Sequence, residues 1–174
     1  MPKANAHALF CGLKEQPSYL NSLNVNLQAI NQLQDAKIRI RQSLRLAFKS
    51  VNMDEARWEP SYRREFSIDW SKVAVEVKFM TQGSFAYKTL NRPARSTQEI
   101  DLDDGMYVPI RYLSNGSPSL LAKGLFDFVQ KSLEPLCFEK GWSVEQKNSC
   151  VRVKINRSAH IDVPIYSVPL KEFM

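Results

Sequence analysis

The spacing of the apolar residues changes along the chain, and this change restricts the fold. Between residues 21 and 50 the steps are mostly three, four or seven, which predicts one stripe of a long helix: Leu23, Leu27, Ile30, Leu33, Ile40, Leu44 and Phe48. From residue 72 to 80 apolar and polar residues alternate, as they do in a strand. A second strand is predicted from 99 to 110, a second long helix over Leu120 to Leu133, and three short strands at 142–146, 150–155 and 161–166.

This order of elements predicts an α+β domain around a mixed β-sheet with helices packed against it. Residues 1–70 are expected to form an N-terminal helical segment that packs on the core, and residues 71–174 to form the core itself. The sequence stops just after the last predicted strand, with no closing helix. We therefore expect it to be the front part of a larger protein.

The composition is that of a globular protein, because 44% of the residues are hydrophobic. No run approaches the roughly 18 consecutive apolar residues of a membrane helix, and the N-terminus lacks the apolar stretch of a secretory signal. A cytoplasmic protein without a membrane partner is expected. The cysteines, Cys11, Cys137 and Cys150, are scattered, so free thiols are expected, the last two buried, and a zinc site is disfavoured.

The formal net charge of +6 suits a polyanionic partner such as a nucleic acid, an anionic membrane surface or a nucleotide. A solvated basic surface without a specific ligand is the alternative. The second half of the first long helix carries five cations: Lys37, Arg39, Arg41, Arg45 and Lys49. They could line a groove for phosphates, but a solvated face is the favoured interpretation.

Asp101 and Asp103 are two residues apart on a predicted strand, so their carboxylates project from the same face. Two such carboxylates repel each other, and a divalent cation reverses the sign of that interaction. Oxygen ligands suit Mg²⁺, which also binds substrate phosphates. The alternative is an exposed acidic turn that runs into Gly105, and Asp104 is predicted to be a turn residue in either case.

Gln82, Gly83 and Ser84 lie where the first strand is predicted to turn into a short helix over residues 85–90. Glycine at such a turn lets the backbone approach an anion, and free N–H groups with the Ser84 hydroxyl can hold phosphate oxygens. An ordinary serine N-cap is the alternative. Tyr87, one turn further, could stack on a base or ribose, or it could be a packed aromatic residue.

Asp162 lies in an apolar strand, where a carboxylate is costly unless it is paired or bound to a metal. If that strand lies beside the Asp101 strand, three carboxylates converge on a site for two Mg²⁺ ions. A partly exposed aspartate on an edge strand, which Pro164 would suit, is the alternative. Arg152 and Lys154 on the neighbouring predicted strand could neutralise phosphate charge.

Together these motifs resemble the cGAS/DncV-like nucleotidyltransferases, in particular the DncV-like cyclic GMP-AMP synthases. The similarity covers about half of the chain, in five stretches: residues 81–93, 98–109, 141–142, 150–155 and 160–166. It implies a polymerase-β-like core in which Asp101, Asp103 and Asp162 bind Mg²⁺. It also implies that Gln82, Gly83, Ser84, Tyr87 and Arg152 contact a nucleotide.

The resemblance further implies an enzyme that joins ATP and GTP into a cyclic di- or trinucleotide signal for anti-phage defence. Members of the family have a C-terminal helical domain that is absent here, either because the chain is cut short or because the remainder is a separate polypeptide. That domain completes the nucleotide pocket, so this chain alone is expected to be inactive. A regulatory protein partner would fit the same scheme.

Two other functions remain open at this point. The basic helix and the net charge also fit a non-catalytic module that binds nucleotides or RNA. The three aspartates would equally serve a nucleotidyltransferase that makes linear products or modifies tRNA or protein.

Overall fold

The computed structural model of the protein describes residues 19–50, 76–95, 97–109 and 118–168. Four helices are present in these ranges: α1 (Tyr19–Ser22), α2 (Leu27–Ser50), α3 (Gly83–Ala86) and α4 (Pro118–Lys140). Five strands accompany them: β1 (Lys78–Gln82), β2 (Ile100–Pro109), β3 (Ser143–Gln146), β4 (Cys150–Asn156) and β5 (Ala159–Val168). The predicted boundary near residue 70 lies outside the described residues.

The strands form one mixed sheet in the order β1-β2-β5-β4-β3. The central pair, β2 and β5, is parallel, while every other pair is antiparallel. This arrangement confirms the predicted α+β fold with a mixed sheet. It also places the two strands that carry the aspartates side by side.

The helices α2 and α4 cover one face of the sheet. Alternate residues of β2, β4 and β5 point into this layer and are buried with residues of both helices: Leu102, Met106, Val151, Val153, Ile161, Val163, Leu33, Ile40, Leu44, Val129 and Leu133. Phe48 of α2 meets Phe128 of α4 edge to face, with ring centroids 4.9 Å apart. Cys137 and Cys150 are free and buried, as predicted, and Cys11 lies outside the described residues.

The first long helix begins six residues later than predicted. The side chain of Asn26 accepts a hydrogen bond from the N–H of Gln28 at 2.8 Å, which caps α2 at its start. Leu27 is 70% exposed, so the predicted apolar stripe is wrong at that position. The helix α4 runs on to Lys140, beyond the last apolar residue of its predicted stripe at Leu133, and Gly141 adopts a left-handed φ of 67° just after it.

Two local predictions around the site are wrong. The short helix stops at Ala86 rather than continuing to residue 90, and Lys88 has a left-handed φ of 58° that no continued helix allows. Asp104 is not a turn residue, since it is 1% exposed in the middle of β2 on the face covered by the helices. Among the described residues, no helix has both the length and the apolar character needed to cross a membrane.

Candidate active site

Asp101, Asp103 and Asp162 lie on the sheet face opposite the helices. The alternation of β2 turns Leu102 into the core and the two flanking aspartates away from it. In the parallel pairing of β2 with β5, Asp103 is the register partner of Asp162, and Asp101 is the partner of His160. The prediction that the Asp162 strand lies beside the Asp101 strand is therefore confirmed.

Gly83 brings the end of β1 against the carboxylate of Asp103. Its φ of 63° is left-handed, and a β-carbon at this position would collide with Asp103 Oδ2. The backbone turn and the carboxylate are therefore as close as only glycine permits. The turn that was predicted to hold phosphate thus adjoins one of the predicted metal ligands.

The Gln82 side chain faces the same side of the sheet and is held at both ends. Its Nε2 donates to the Tyr107 hydroxyl at 2.7 Å, and the Tyr166 hydroxyl donates to its Oε1 at 3.2 Å. The two tyrosine rings stack with centroids 5.0 Å apart. The two bonds fix the orientation of the Gln82 amide and leave one N–H and one lone pair of it available.

Ser84 is the second residue of α3, and Tyr87 directly follows the helix. The carbonyl of Ser84 accepts the N–H of Thr89 at 2.9 Å, which closes the turn after the helix. Tyr87 follows the last residue of α3, and its side chain is 79% exposed. An aromatic ring this exposed can stack on a ligand without first leaving a packed site.

The surroundings of Asp103 disfavour its negative charge. Burial raises the pKa of the Asp103 carboxyl, and the negative charges of Asp101 and Asp162 raise it further. Nearby positive charge at Arg152 offsets only part of this effect. A carboxylate in such surroundings is stabilised by an added cation, and a hard oxygen donor set suits Mg²⁺.

Asp162 is paired with Arg152, its register partner on β4. The guanidinium donates through Nε to Oδ1 at 2.7 Å and through Nη2 to Oδ2 at 2.8 Å, and this pairing raises the pKa of Arg152. Arg152 therefore adjoins the aspartates, while the Lys154 ammonium lies 3.2 Å from the Glu145 carboxylate. Within the part of the chain that the structure describes, no three acidic, histidine or cysteine side chains form a ready-made metal cluster.

One close side-chain contact in this region, between His160 and Glu99, was not predicted. The buried His160 ring approaches Glu99 with Nδ1 2.6 Å from Oε2, and its Nε2 lies 3.9 Å from Asp162 Oδ1. The sequence does hold a signal for the histidine, because His160 shares strand parity with Asp162. Glu99 precedes β2, and nothing in the local pattern indicates its partner.

A cavity of about 560 Å³ opens beside Asp101. Its walls are residues 90–94 and 97–100 together with Asp101, Arg152 and His160. The volume is within the range of small-molecule sites in proteins. The cavity thus places open space of ligand size directly against two of the predicted site residues.

Comparison with known proteins identifies relatives of this chain. The family described as "Cyclic GMP-AMP synthase DncV-like, nucleotidyltransferase domain" matches residues 77–166. A cyclic GMP-AMP synthase of Escherichia coli is 45% identical over 103 residues, which are 58% of this chain and 24% of that protein. A cyclic GMP-AMP synthase of Vibrio cholerae is 45% identical over 98 residues, 55% of this chain and 22% of that protein. The matched region thus spans about a quarter of the length of these relatives.

Solved structures of DncV from Vibrio cholerae share the fold. One, described as a cyclic AMP-GMP synthase and a prokaryotic cGAS homolog, has a TM-score of 0.67 at 29% identity over 90% of this chain and 50% of that one. A second, in complex with the linear intermediate 5′ pppA(3′,5′)pG, has a TM-score of 0.66 at 27% identity, over 90% of this chain and 47% of that one. The similarity extends well beyond the segment matched by the family description.

Proposed function

The chain belongs to the DncV-like nucleotidyltransferase family, and we propose that it is the transferring core of an enzyme that builds a cyclic di- or trinucleotide from ATP and GTP. The product would be a second messenger in anti-phage defence, as the resemblance of the sequence to the family implies. Similarity to proteins named cyclic GMP-AMP synthase supports the substrates.

The observation that carries the proposal is the position of Asp103. It lies beside Asp162 in the sheet and against the backbone of Gly83. The proposed metal ligands are therefore next to the proposed phosphate-binding turn. Nucleotidyl transfer needs this neighbourhood, because the metal ligands must stand next to the transferred phosphate. A module that only bound nucleotides would gain nothing from repelling carboxylates.

Asp101, Asp103 and Asp162 are the residues that would hold a pair of Mg²⁺ ions. Their donor atoms are the hard oxygens that this ion prefers, and burial and the two neighbouring carboxylates raise the pKa of Asp103, so an added cation would stabilise its charged form. The side chain of Asp162 is bound to Arg152, so we infer that it exchanges this partner when the cations and substrate arrive. Bound ions would supply charge neutralisation at the triphosphate and the attacking hydroxyl.

The other residues bind and orient the substrate. The backbone at Gly83 and the Ser84 hydroxyl hold phosphate oxygens, and Arg152, once released from Asp162, pairs with phosphate charge. Tyr87 offers its exposed ring to a base or ribose. Asp162 accepts the proton of the attacking ribose hydroxyl. The oxygen can then attack the α-phosphorus while pyrophosphate leaves.

The test is to incubate the intact enzyme that contains this chain with ATP, GTP and Mg²⁺ and identify the products by mass spectrometry. Asp101→Asn combined with Asp103→Asn should abolish product and also the rise in melting temperature that GTP with Mg²⁺ produces. The control double variant Asp35→Asn with Glu139→Gln removes two surface carboxylates on α2 and α4 and should retain both.

Different results would support other functions. Retained product in the Asp101→Asn, Asp103→Asn variant would refute the proposed metal ligands. A linear product, or label transferred to tRNA or protein, would keep the chemistry and change the substrate. Stabilisation by RNA that is indifferent to Mg²⁺ would instead favour a binding module.

A further inference from the structure

A charged cluster lies inside the core directly behind the candidate site. Asp104 is 1% exposed, and Arg41 of α2 donates to its carboxylate through both Nε and Nη2, with Nε 2.6 Å from Oδ2. The Thr81 hydroxyl of β1 donates to Asp104 Oδ1 at 3.0 Å and accepts from Arg41 Nη2 at 3.1 Å. Lys37 of α2 completes the set, with Nζ 3.3 Å from Thr81 Oγ1. We call these four residues the inner cluster.

Stability alone does not account for the inner cluster. Two ions taken out of water lose hydration, and replacing such a buried pair by apolar residues of similar volume is often neutral or stabilising. The surrounding layer is apolar and would accept such residues. The hydrogen bonds that join Arg41, Asp104 and Thr81 are better explained by the geometry that they impose.

The inner cluster fixes two backbone positions that lead into the site. Thr81 and Asp104 are register partners, and the next pair along the same ladder is Gln82 with Asp103. Gly83 follows immediately and touches the Asp103 carboxylate. Lys37 also lies 5.5 Å from the ring centroid of Phe85 in α3. Side chains of α2 therefore hold β1, β2 and the turn to one another from behind.

We propose that Arg41, Asp104 and Thr81 are positioning residues that set the distance between the phosphate-binding turn at Gly83 and the carboxylate of Asp103. The inference rests on the proposed function, because it assigns those two groups to the transfer reaction. None of the three residues touches the substrate. They act through the backbone of Gln82, which follows Thr81, and of Asp103, which precedes Asp104.

The double variant Arg41→Leu, Asp104→Leu tests this assignment, since it removes both members of the ion pair together and leaves Lys37 hydrogen-bonded to Thr81. Its matched control is Arg39→Leu, Asp35→Leu, which removes an exposed pair of the same residue types from the same helix. Thr81→Val is a second, smaller variant that keeps the side-chain shape and deletes only the hydroxyl. Amide hydrogen exchange and the melting temperature, with and without GTP and Mg²⁺, are measured for each.

We expect the Leu pair to remain folded, with exchange in residues 81–86 and 102–105 faster by about tenfold or more and exchange in β4 unchanged. The rise in melting temperature caused by GTP with Mg²⁺ should be lost. Thr81→Val should move both readouts in the same direction by less, and the control pair should move neither.

Unchanged exchange in residues 81–86, or exchange that accelerates equally throughout the sheet, would overturn the positioning role. The exchange measurement needs no ligand, so it decides this inference separately from the proposed function. If the unmodified protein showed no response to GTP with Mg²⁺, the proposed function would fail while the exchange comparison still tested the inner cluster.

Discussion

Gly83 and Asp103 approach each other so closely that a β-carbon at position 83 would collide with a carboxylate oxygen of Asp103. Gly83→Ala should therefore have two effects. A left-handed backbone costs alanine about 1–2 kcal/mol, and the added methyl group must also displace Asp103. We expect the rate of product formation to fall about a hundredfold, as for a misplacement of ~1 Å at a reacting centre. The rise in melting temperature caused by GTP with Mg²⁺ should become smaller.

Gly141→Ala is the control for this prediction. Gly141 has nearly the same φ, 67°, but nothing lies within 4 Å of its β-carbon position. The Gly141→Ala variant should therefore lose about the same free energy of unfolding from its left-handed backbone, measured in urea, and retain the response to GTP with Mg²⁺. Equal functional losses in the two alanine variants would contradict the argument from close approach.

Asp103→Asn should stabilise the protein in buffer without divalent cations. The pKa of Asp103 is raised in the folded state, so the unfolded state loses its proton first as pH rises, and folding stability declines across that window. The side chain of asparagine does not titrate, so the stability of the variant does not decline for this reason. We expect a gain of at most about 1 kcal/mol at pH 7, because the group is partly exposed.

A pH series of urea unfolding curves checks this prediction for Asp103→Asn. The gain over the unmodified protein should shrink as pH falls and vanish below the ordinary aspartate pKa of about 3.9. A variant that is less stable at pH 7 than the unmodified protein would show that the Asp103 charge is favourably paired. Added Mg²⁺ should reduce the difference, since it stabilises only the carboxylate form.

The strands and the shared face of Asp101 and Asp103 follow from periods that are visible in the sequence. Alternation puts every second residue on one face, so Asp101 and Asp103 had to point together once β2 was recognised. The apolar run around Asp162 indicated a strand but left open whether that strand lay at an edge of the sheet. The structure decides this, because β5 lies between β2 and β4, a pairing that local spacing does not contain.

The prediction for Asp104 is wrong for a reason that spacing cannot reveal. An aspartate followed by glycine is typical of a turn, and the partner that makes a buried strand position acceptable, Arg41, lies 63 residues earlier. The same pairing makes the prediction of a solvated basic face wrong for Arg41. Two errors thus have one cause, a long-range ion pair between a helix and a strand.

Glu99→Ala should destabilise the protein by leaving the Nδ1 of His160 without its carboxylate partner. His160 has a side chain only 8% exposed, and an unsatisfied buried polar group costs about 1–3 kcal/mol. Glu99→Gln keeps an oxygen acceptor at the same place and should lose less. Urea unfolding of both variants gives the comparison, and equal losses would mean that the Nδ1 contact adds nothing.

Cys137 and Cys150 should resist alkylation in the native protein. Burial raises the pKa of each thiol to about 11, and the nearby carboxylate of Asp162 contributes at Cys150. Little thiolate is therefore present at pH 8. Peptide mass spectrometry after iodoacetamide should find both residues unmodified until urea is added, and rapid labelling of Cys150 in native protein would contradict its buried position.

Arg152→Gln should change metal binding and nucleotide binding in opposite directions. Arg152 occupies both oxygens of Asp162, so it competes with a cation for that carboxylate, and its removal should tighten Mn²⁺ binding in the absence of nucleotide. The same variant should weaken GTP binding, because a charge-assisted bond to phosphate worth about 1.5–3 kcal/mol is lost. Lys154→Gln, on the same strand and paired with Glu145, should change neither. Calorimetric titration separates the two affinities, and a parallel loss of both would mean that Arg152 only supports the structure around Asp162.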